Sequence, residues 1–329
     1  HEIYFGRLNA DGANLGGGKR ITHDPSSSYA PDLVWTGSGY GLAWQDDRDG
    51  AWAIWFARVD AAGNKIGSDI RVSDTGGNSW NPSLVWTGTE YGVSWREERD
   101  GNWEIYFARL DTMGQRIGAA LRVTNDAASS RIPSTAWTGT EYGIAWYDNR
   151  DGNNEIYFTR ISAAGAKIGG DVRVTSNGGS SAVPRLAWTG TEYGLTWYDN
   201  SHGNFEIFFA RIASAGAKIG TDMRLTTDSA LSEYPEIAWN GRGFVIVWQD
   251  YRDGNAEVYA ATMRCCEDRD FDGYTVCEGD TNDGDPDSYP GADELCDGTD
   301  NNADGVIDET CDGICDSESE WGADRQLTT

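Results

Sequence analysis

The chain has 329 residues, with 26 Lys and Arg against 53 Asp and Glu, a net charge of −27 and a pI near 4.3; nothing in that balance neutralises phosphates, which excludes nucleic acid and insertion into or docking on an anionic membrane. Hydrophobic residues at 39% and aromatics at 12% supply a sizeable core, so the acidity does not mark a disordered chain. No apolar run approaches the roughly 18 to 20 residues that span a bilayer, and the opening HEIYFGRLNADG lacks a signal-peptide apolar region, so a soluble, already processed chain is expected.

Self-similarity dominates residues 1–264. Pro31, Pro82, Pro133, Pro184 and Pro235 stand 51 residues apart, and so do Trp35, Trp86, Trp137, Trp188 and Trp239, and then Trp44, Trp95, Trp146, Trp197 and Trp248. One unit, residues 133–175, splits at its turn signals into four short runs rich in β-branched and aromatic residues: PSTAWTG, EYGIAWYD, NEIYFTRI and GDVRVT. The connectors TGTE, NRDGN and SAAGAKIG carry the Gly, Asn and Asp of hairpin turns, and helical periodicity is absent. Four antiparallel strands per unit with a Trp and Gly signature predict a blade of a β-propeller.

The stretch AWYDNRDGNNEIYFTRISAAG followed by RVT resembles the WD-like propeller repeat of TolB-type proteins. That resemblance implies a six-bladed propeller and says nothing firm about activity. The units here are longer, and in the fifth the turn is Ser201-His202-Gly203, without the Arg and Asp. The third strand occurs six times, the Pro/Trp first strand and the YG second strand only five, so one blade is expected to lack its two inner strands. GADRQLTT at 322–329 matches GTDMRLTT at 220–227 and is expected to supply the closing strand of the last blade, 321–329. The missing pair is expected from a longer parent chain or from a neighbouring copy.

Charge and cysteine concentrate between those last two strands. Residues 265–320 hold 20 acids against one base, Arg269, and all six cysteines, Cys265, Cys266, Cys277, Cys296, Cys311 and Cys315. Asp268, Asp270 and Asp272 before Gly273 give the D-x-D-x-D-G start of a calcium loop, and Asp300, Asn302, Asp304 and Gly305 repeat it. Alternating carboxylates converge on one cation, and Gly permits the sharp turn. The twelfth positions are Gly279 and Cys311, so Asp280 and Asp308 are the expected closing ligands, with Tyr274 completing the first candidate set. The run DRDFDGY, then GDTNDGDPDSYPGADELCDGTDNNADGVIDETC, resembles the MopE-type metal-binding motif of secreted bacterial proteins, with Thr281 and Ala303 where that family has cysteines. The loss is consistent with one missing disulfide, leaving six cysteines for three bridges of unresolved pairing. With no His in the insert and only oxygen donors in phase, a structural Ca²⁺ at two or more sites fits better than zinc or copper. Disulfides in so small an insert point to an oxidising place: secreted, at the cell surface, or periplasmic.

No catalytic constellation stands out. His1, His23 and His202 are the only histidines, and none has a Ser-His-Asp or metalloprotease context. Glu104, Glu155, Glu206 and Glu257 recur at one fixed position, which suits pairing with the recurring arginines better than acid–base work. A binding site is a local exception on a symmetric scaffold. After the RDG-N turn stand Trp52, Trp103, Asn154, Phe205 and Ala256, and two places before the blade proline stand Tyr29, Trp80, Arg131, Ala182 and Glu233. Trp52, Trp103 and Phe205 are the expected ligand contacts, as exposed platforms or packed over neighbouring blades. The paired tryptophans such as Trp137 and Trp146 are expected between blades. The sequence thus predicts an all-β, six-bladed propeller with a disulfide-rich metal-binding insert, acting outside the cell as a non-catalytic binding, adhesion or assembly module. Its expected partners are a glycan, a protein, or other copies of itself. The alternatives are a lectin or glycan-active hydrolase, and a structural subunit completed by strand exchange.

Overall fold

The structure is a computed structural model that describes residues 1–74, 76–99, 101–263, 282, 285–293 and 301–302. It divides into two compact units, His1–Trp239 with Val245–Ala261, and Asn240–Phe244 with Thr262–Thr329. The described residues are strand and turn, without helix.

A two-stranded ribbon, β1 (Tyr4–Phe5) with β2 (Lys19–Arg20), comes first. Four meandering four-stranded sheets follow. They are β3 (Ser28–Trp35), β4 (Gly39–Asp46), β5 (Ala53–Asp60) and β6 (Lys65–Arg71); then β7 (Asn78–Trp86), β8 (Tyr91–Glu98), β9 (Trp103–Leu110) and β10 (Leu121–Arg122). Next come β11 (Ser130–Trp137), β12 (Glu141–Asp148), β13 (Glu155–Ser162) and β14 (Lys167–Arg173), and β15 (Ser181–Trp188), β16 (Glu192–Asp199), β17 (Glu206–Ala213) and β18 (Lys218–Arg224). A three-stranded sheet, β19 (Ser232–Trp239), β20 (Phe244–Asp250) and β21 (Glu257–Met263), ends the described series. Five blades therefore stand among the described residues where six were expected, and β1 with β2 forms a separate two-stranded sheet at the repeat positions of a third and a fourth strand. The predicted closing strand at 321–329 lies outside the described residues.

The repeat signature now has physical causes. Trp44, Trp95, Trp146 and Trp197 are fully buried on the second strands, and each core cluster draws on two adjacent blades. In three blades the Gly of the YG pair leaves room for the Tyr of the following blade: a Cβ on Gly143 would sit 2.5 Å from Cε1 of Tyr193, and Gly41 and Gly92 meet Tyr91 and Tyr142 in the same way. The second strand ends in a buried carboxylate. Asp148 accepts from Ser130 Oγ (2.7 Å), Trp146 Nε1 (3.4 Å), and both the Arg150 amide (2.8 Å) and guanidinium (2.7 Å). Arg150 then lies 4.3 Å over Tyr157. The recurring glutamates are structural as expected: Glu155 accepts from Arg173 (2.9 Å), Thr175 (2.5 Å) and Asn153 (2.9 Å).

One expectation is corrected. The first-strand tryptophans are less buried than their second-strand counterparts: Trp86, Trp137 and Trp188 are half-buried against the clusters between blades, and Trp35 is not covered. Trp137 is half-buried, 4.5 Å from the ring of its cross-strand partner Tyr142, and Trp35 is 48% exposed. On the same strand Leu33 is 43% exposed, and Val258 on β21 is 79% exposed where Ile54, Ile105, Ile156 and Ile207 are sealed. In the series, Leu84, the counterpart of Leu33, packs with residues of the preceding blade, and Ile54, the counterpart of Val258, packs with residues of the following one.

Candidate functional site: the mouth and wall of the central cavity

Four first strands break their ladders at the same place. Pairing slips by one residue between Tyr29 and Asp32, Trp80 and Ser83, Arg131 and Ser134, and Ala182 and Arg185. The residue before each blade proline has positive φ: Ala30 (48°), Asn81 (54°), Ile132 (45°), Val183 (52°) and Tyr234 (53°). This conformation is costly for β-branched Ile132 and Val183, and is disfavoured again by the following proline. Its recurrence in all five blades marks it as built in. The extra residue turns the side chains two before and one after the proline to the same face of the blade, because Tyr29 pairs with Gln45 and Asp32 with Ala43, two residues apart.

The residue after the proline lines a cavity of about 320 Å³ bounded by β3, β7, β11, β15 and β19. Three blades use it as a clasp on the next. Asp32 Oδ2 accepts the Leu84 amide (2.6 Å), Ser83 Oγ the Thr135 amide (3.0 Å) and Ser134 Oγ the Leu186 amide (3.0 Å). Arg185 has no acceptor to offer and instead donates to Glu236 Oε1 at 2.6 Å. Asp32, Arg185 and Glu236 thus put three charged groups on the wall. Burial pushes the Asp32 carboxyl up to about 6, with the Leu84 and Leu33 amides and Arg185 pulling it back and Glu236 adding to the rise.

At the mouth the repeat also fails, and here the predicted residues come together. Trp52 and Trp103 are half-buried rather than exposed, and they form one ladder with residues preceding the prolines: Tyr29–Trp52 5.7 Å, Trp52–Trp80 5.8 Å, Trp80–Trp103 5.5 Å between ring centroids. His1 adds a ring 4.5 Å from Tyr29. Phe205 is half-buried too and joins a second group, 5.0 Å from Tyr198, which is 5.6 Å from Tyr234. Packing over neighbours, one of the two expected arrangements, is the one found.

Two rows escaped the sequence reading. One follows the proline: Asp32, Ser83, Ser134, Arg185 and Glu236. The other precedes the buried carboxylate: Gln45, Arg96, Tyr147, Tyr198 and Gln249. The same 51-residue register applied to these columns displays the variation, so the signal was present. Arg96 sits 5.0 Å from the Trp80 ring and 4.6 Å from Trp103. Burial foremost, with the like charge of Arg131, lowers its proton affinity.

Of the predicted metal ligands, Asn302 is described: its carbonyl accepts the Gly291 amide at 3.1 Å, which ties the YPGA turn to the second D-x-N-x-D segment. Asp268, Asp270, Asp272, Tyr274, Asp280, Asp300, Asp304 and Asp308, and cysteines 265, 266, 277, 296, 311 and 315, lie outside the described residues. Among the described residues no group of three His, Cys, Asp or Glu could hold a metal ion. The donor set in the sequence, carboxylates and amides at alternating places, suits a hard cation.

The chain is a β-propeller that carries a metal-binding motif. A family model described as "Putative metal-binding motif", of the MopE type, matches residues 280–309, so the first D-x-D-x-D-G start falls outside the match. No curated protein matches the chain. Among solved structures it is similar to a TolB protein from Agrobacterium tumefaciens, 16% identical over 76% of this chain and 87% of that one, with a TM-score of 0.47. A puromycin-hydrolyzing peptidase from Mycobacterium tuberculosis is 13% identical over 79% of this chain and 44% of that one, with a TM-score of 0.50. A family 43 endo-arabinanase from Bacillus licheniformis is 13% identical over 73% and 95%, at 0.44. These likenesses are of fold alone.

Proposed function

We propose that this chain is a binding module of the cell exterior, a non-catalytic propeller that holds a surface glycan at the mouth of its central cavity. The observation that carries the proposal is that four variable rows of the repeat, those of Tyr29, Asp32, Gln45 and Trp52, meet at the cavity and its mouth beside an aromatic ladder, while at the other end of the blades the turn TGTE recurs in three of five. A glycan array probed with the wild type and with Trp52→Ala and Trp103→Ala tests it. Binding lost in both variants supports the reading, and binding indifferent to both, or turnover of any polysaccharide, sinks it.

Calcium held by the insert is the structural partner of this module, and an oxidising location supplies both its disulfides and its calcium. At about a hundred times its Kd, each ion adds roughly 2.7 kcal/mol to the fold. An unchanged melting temperature in EDTA, or calorimetry without a calcium signal, contradicts this. A hydrolase is the second reading, favoured by one observation: Asp32, raised to about 6, faces a cavity it shares with Glu236. Turnover that vanishes in Asp32→Asn would establish it. The exposed Leu33, Trp35 and Val258 favour a third, an assembly subunit completed by strands of another copy, which concentration-dependent association in ultracentrifugation would reveal.

A further inference from the structure

We propose that Arg96 and Arg131 form the anion-binding centre of this mouth, and that the glycan bound there is acidic, a chain bearing uronate carboxylates. The inference rests on reading the mouth as the glycan-binding face and adds the chemistry of the ligand.

Most other arginines of the propeller core are spoken for. Arg48, Arg99, Arg150 and Arg252, which also lie over aromatic rings, each pair with a buried carboxylate of their own blade. Arg96 has the aromatic half of that arrangement, between Trp80 and Trp103, but no carboxylate among the described residues. Its Nε and that of Arg131 are buried without a hydrogen-bond partner, as is Nε1 of the adjacent Trp80. A guanidinium whose Nε is buried without an acceptor is costly, and the like charge of Arg131 near Arg96 adds to the cost. An arrangement so costly to the free protein is relieved by an anion that accepts from both. The planar guanidinium fork matches a carboxylate. The ladder Tyr29–Trp52–Trp80–Trp103 beside it offers apolar ring surface to the C–H faces of a sugar, which an acidic peptide would not need. Glu233, the carboxylate in the same row as Arg131, is two blades further on and answers neither arginine.

Calorimetry with α-1,4-linked trigalacturonate and its carboxyl-reduced neutral counterpart tests this, using the whole chain, Arg96→Gln, Arg131→Gln and Trp52→Ala. Carboxyl reduction is expected to weaken binding by at least about tenfold, as for hydrogen bonds to a charged group. Each Gln variant should lose a similar factor for trigalacturonate and a clearly smaller one for the neutral oligomer. If Arg96→Gln melts early, Arg131→Gln, on the more open strand, carries the test alone. Equal binding of both oligomers, unaffected by either Gln variant but lost in Trp52→Ala, overturns the anion centre and leaves the glycan face standing. Poly-glutamate bound as well as trigalacturonate overturns the assignment to a glycan. Absence of binding to either oligomer overturns both readings together.

Discussion

The buried carboxylate at the end of each second strand comes in two versions, and the chain's own variation predicts how to convert one into the other. In most blades the carboxylate is neutralised by the Arg of the turn, as Asp148 is by Arg150 at 2.7 Å. In the blade with Ser201 there is no guanidinium, and Asp199 accepts instead from Asn177 Nδ2 (2.9 Å), the Ser201 amide (2.7 Å) and Ser181 Oγ (2.5 Å). The residue equivalent to Asn177 one blade earlier is Asp126, which offers no donor to Asp148. Arg150→Ser therefore strips a fully buried carboxylate of one charge-assisted hydrogen bond, about 1.5 to 3 kcal/mol. The lost contact with Tyr157 adds about 0.5 to 1 kcal/mol. Asp126→Asn alone should be close to neutral, since the Oδ1 that accepts the Ala128 amide is kept. In the double variant the new amide reaches Asp148 as Asn177 reaches Asp199, and about 1 to 2 kcal/mol should return. Urea unfolding of the four proteins closes the cycle. Energies that add to within about 0.5 kcal/mol would mean the two sites do not share a partner, and the account of this carboxylate would be wrong.

Two further outcomes follow from packing and burial. Gly143→Ala forces a methyl into the Tyr193 ring and should cost about 1 to 3 kcal/mol, whereas Gly170→Ala, with open space around it, should cost little; equal melting temperatures would refute the contact. Asp32, raised from 3.8 to about 6, favours the fold while protonated, so its contribution is complete below 3.8 and is lost as pH rises to about 6. Asp148 and Asp199, both lowered chiefly by hydrogen bonds that outweigh burial, act the other way and weaken the fold as pH falls below the ordinary carboxylate range. Asp32→Asn should accordingly remove the decline between about pH 4 and 6 and leave the acid limb, and a wild-type curve flat across that window would contradict the wall's electrostatics.

Much of the fold was legible because the repeat is spelled in residues with a single geometric use. The run EYGIAWYD became β12 at its predicted limits, and the YG pair encodes the contact between blades. The bulge was not legible, since Ile132 and Val183 are poor choices for positive φ and nothing local announces it. For that reason the residue after the proline looked like one more strand position, although the bulge turns it to the cavity wall beside the row two places before. Arg96 was hidden differently: it sits between invariant Trp95 and near-invariant Glu97, and only the column, not the neighbourhood, shows that it stands alone. Trp52 and Trp103 were legible because they follow a tight turn at a variable position, and of the two arrangements open to them the neighbouring Trp80 selects packing.

The central claim is that the ligand occupies the face where the repeat varies, and hydroxyl-radical footprinting of the tryptophans tests it most directly. With the best binder from the glycan array present, Trp52, Trp80 and Trp103 should be protected while Trp35, exposed at the far end of its strand, is oxidised as before. Protection of Trp35, with the three ladder tryptophans unchanged, would contradict the account.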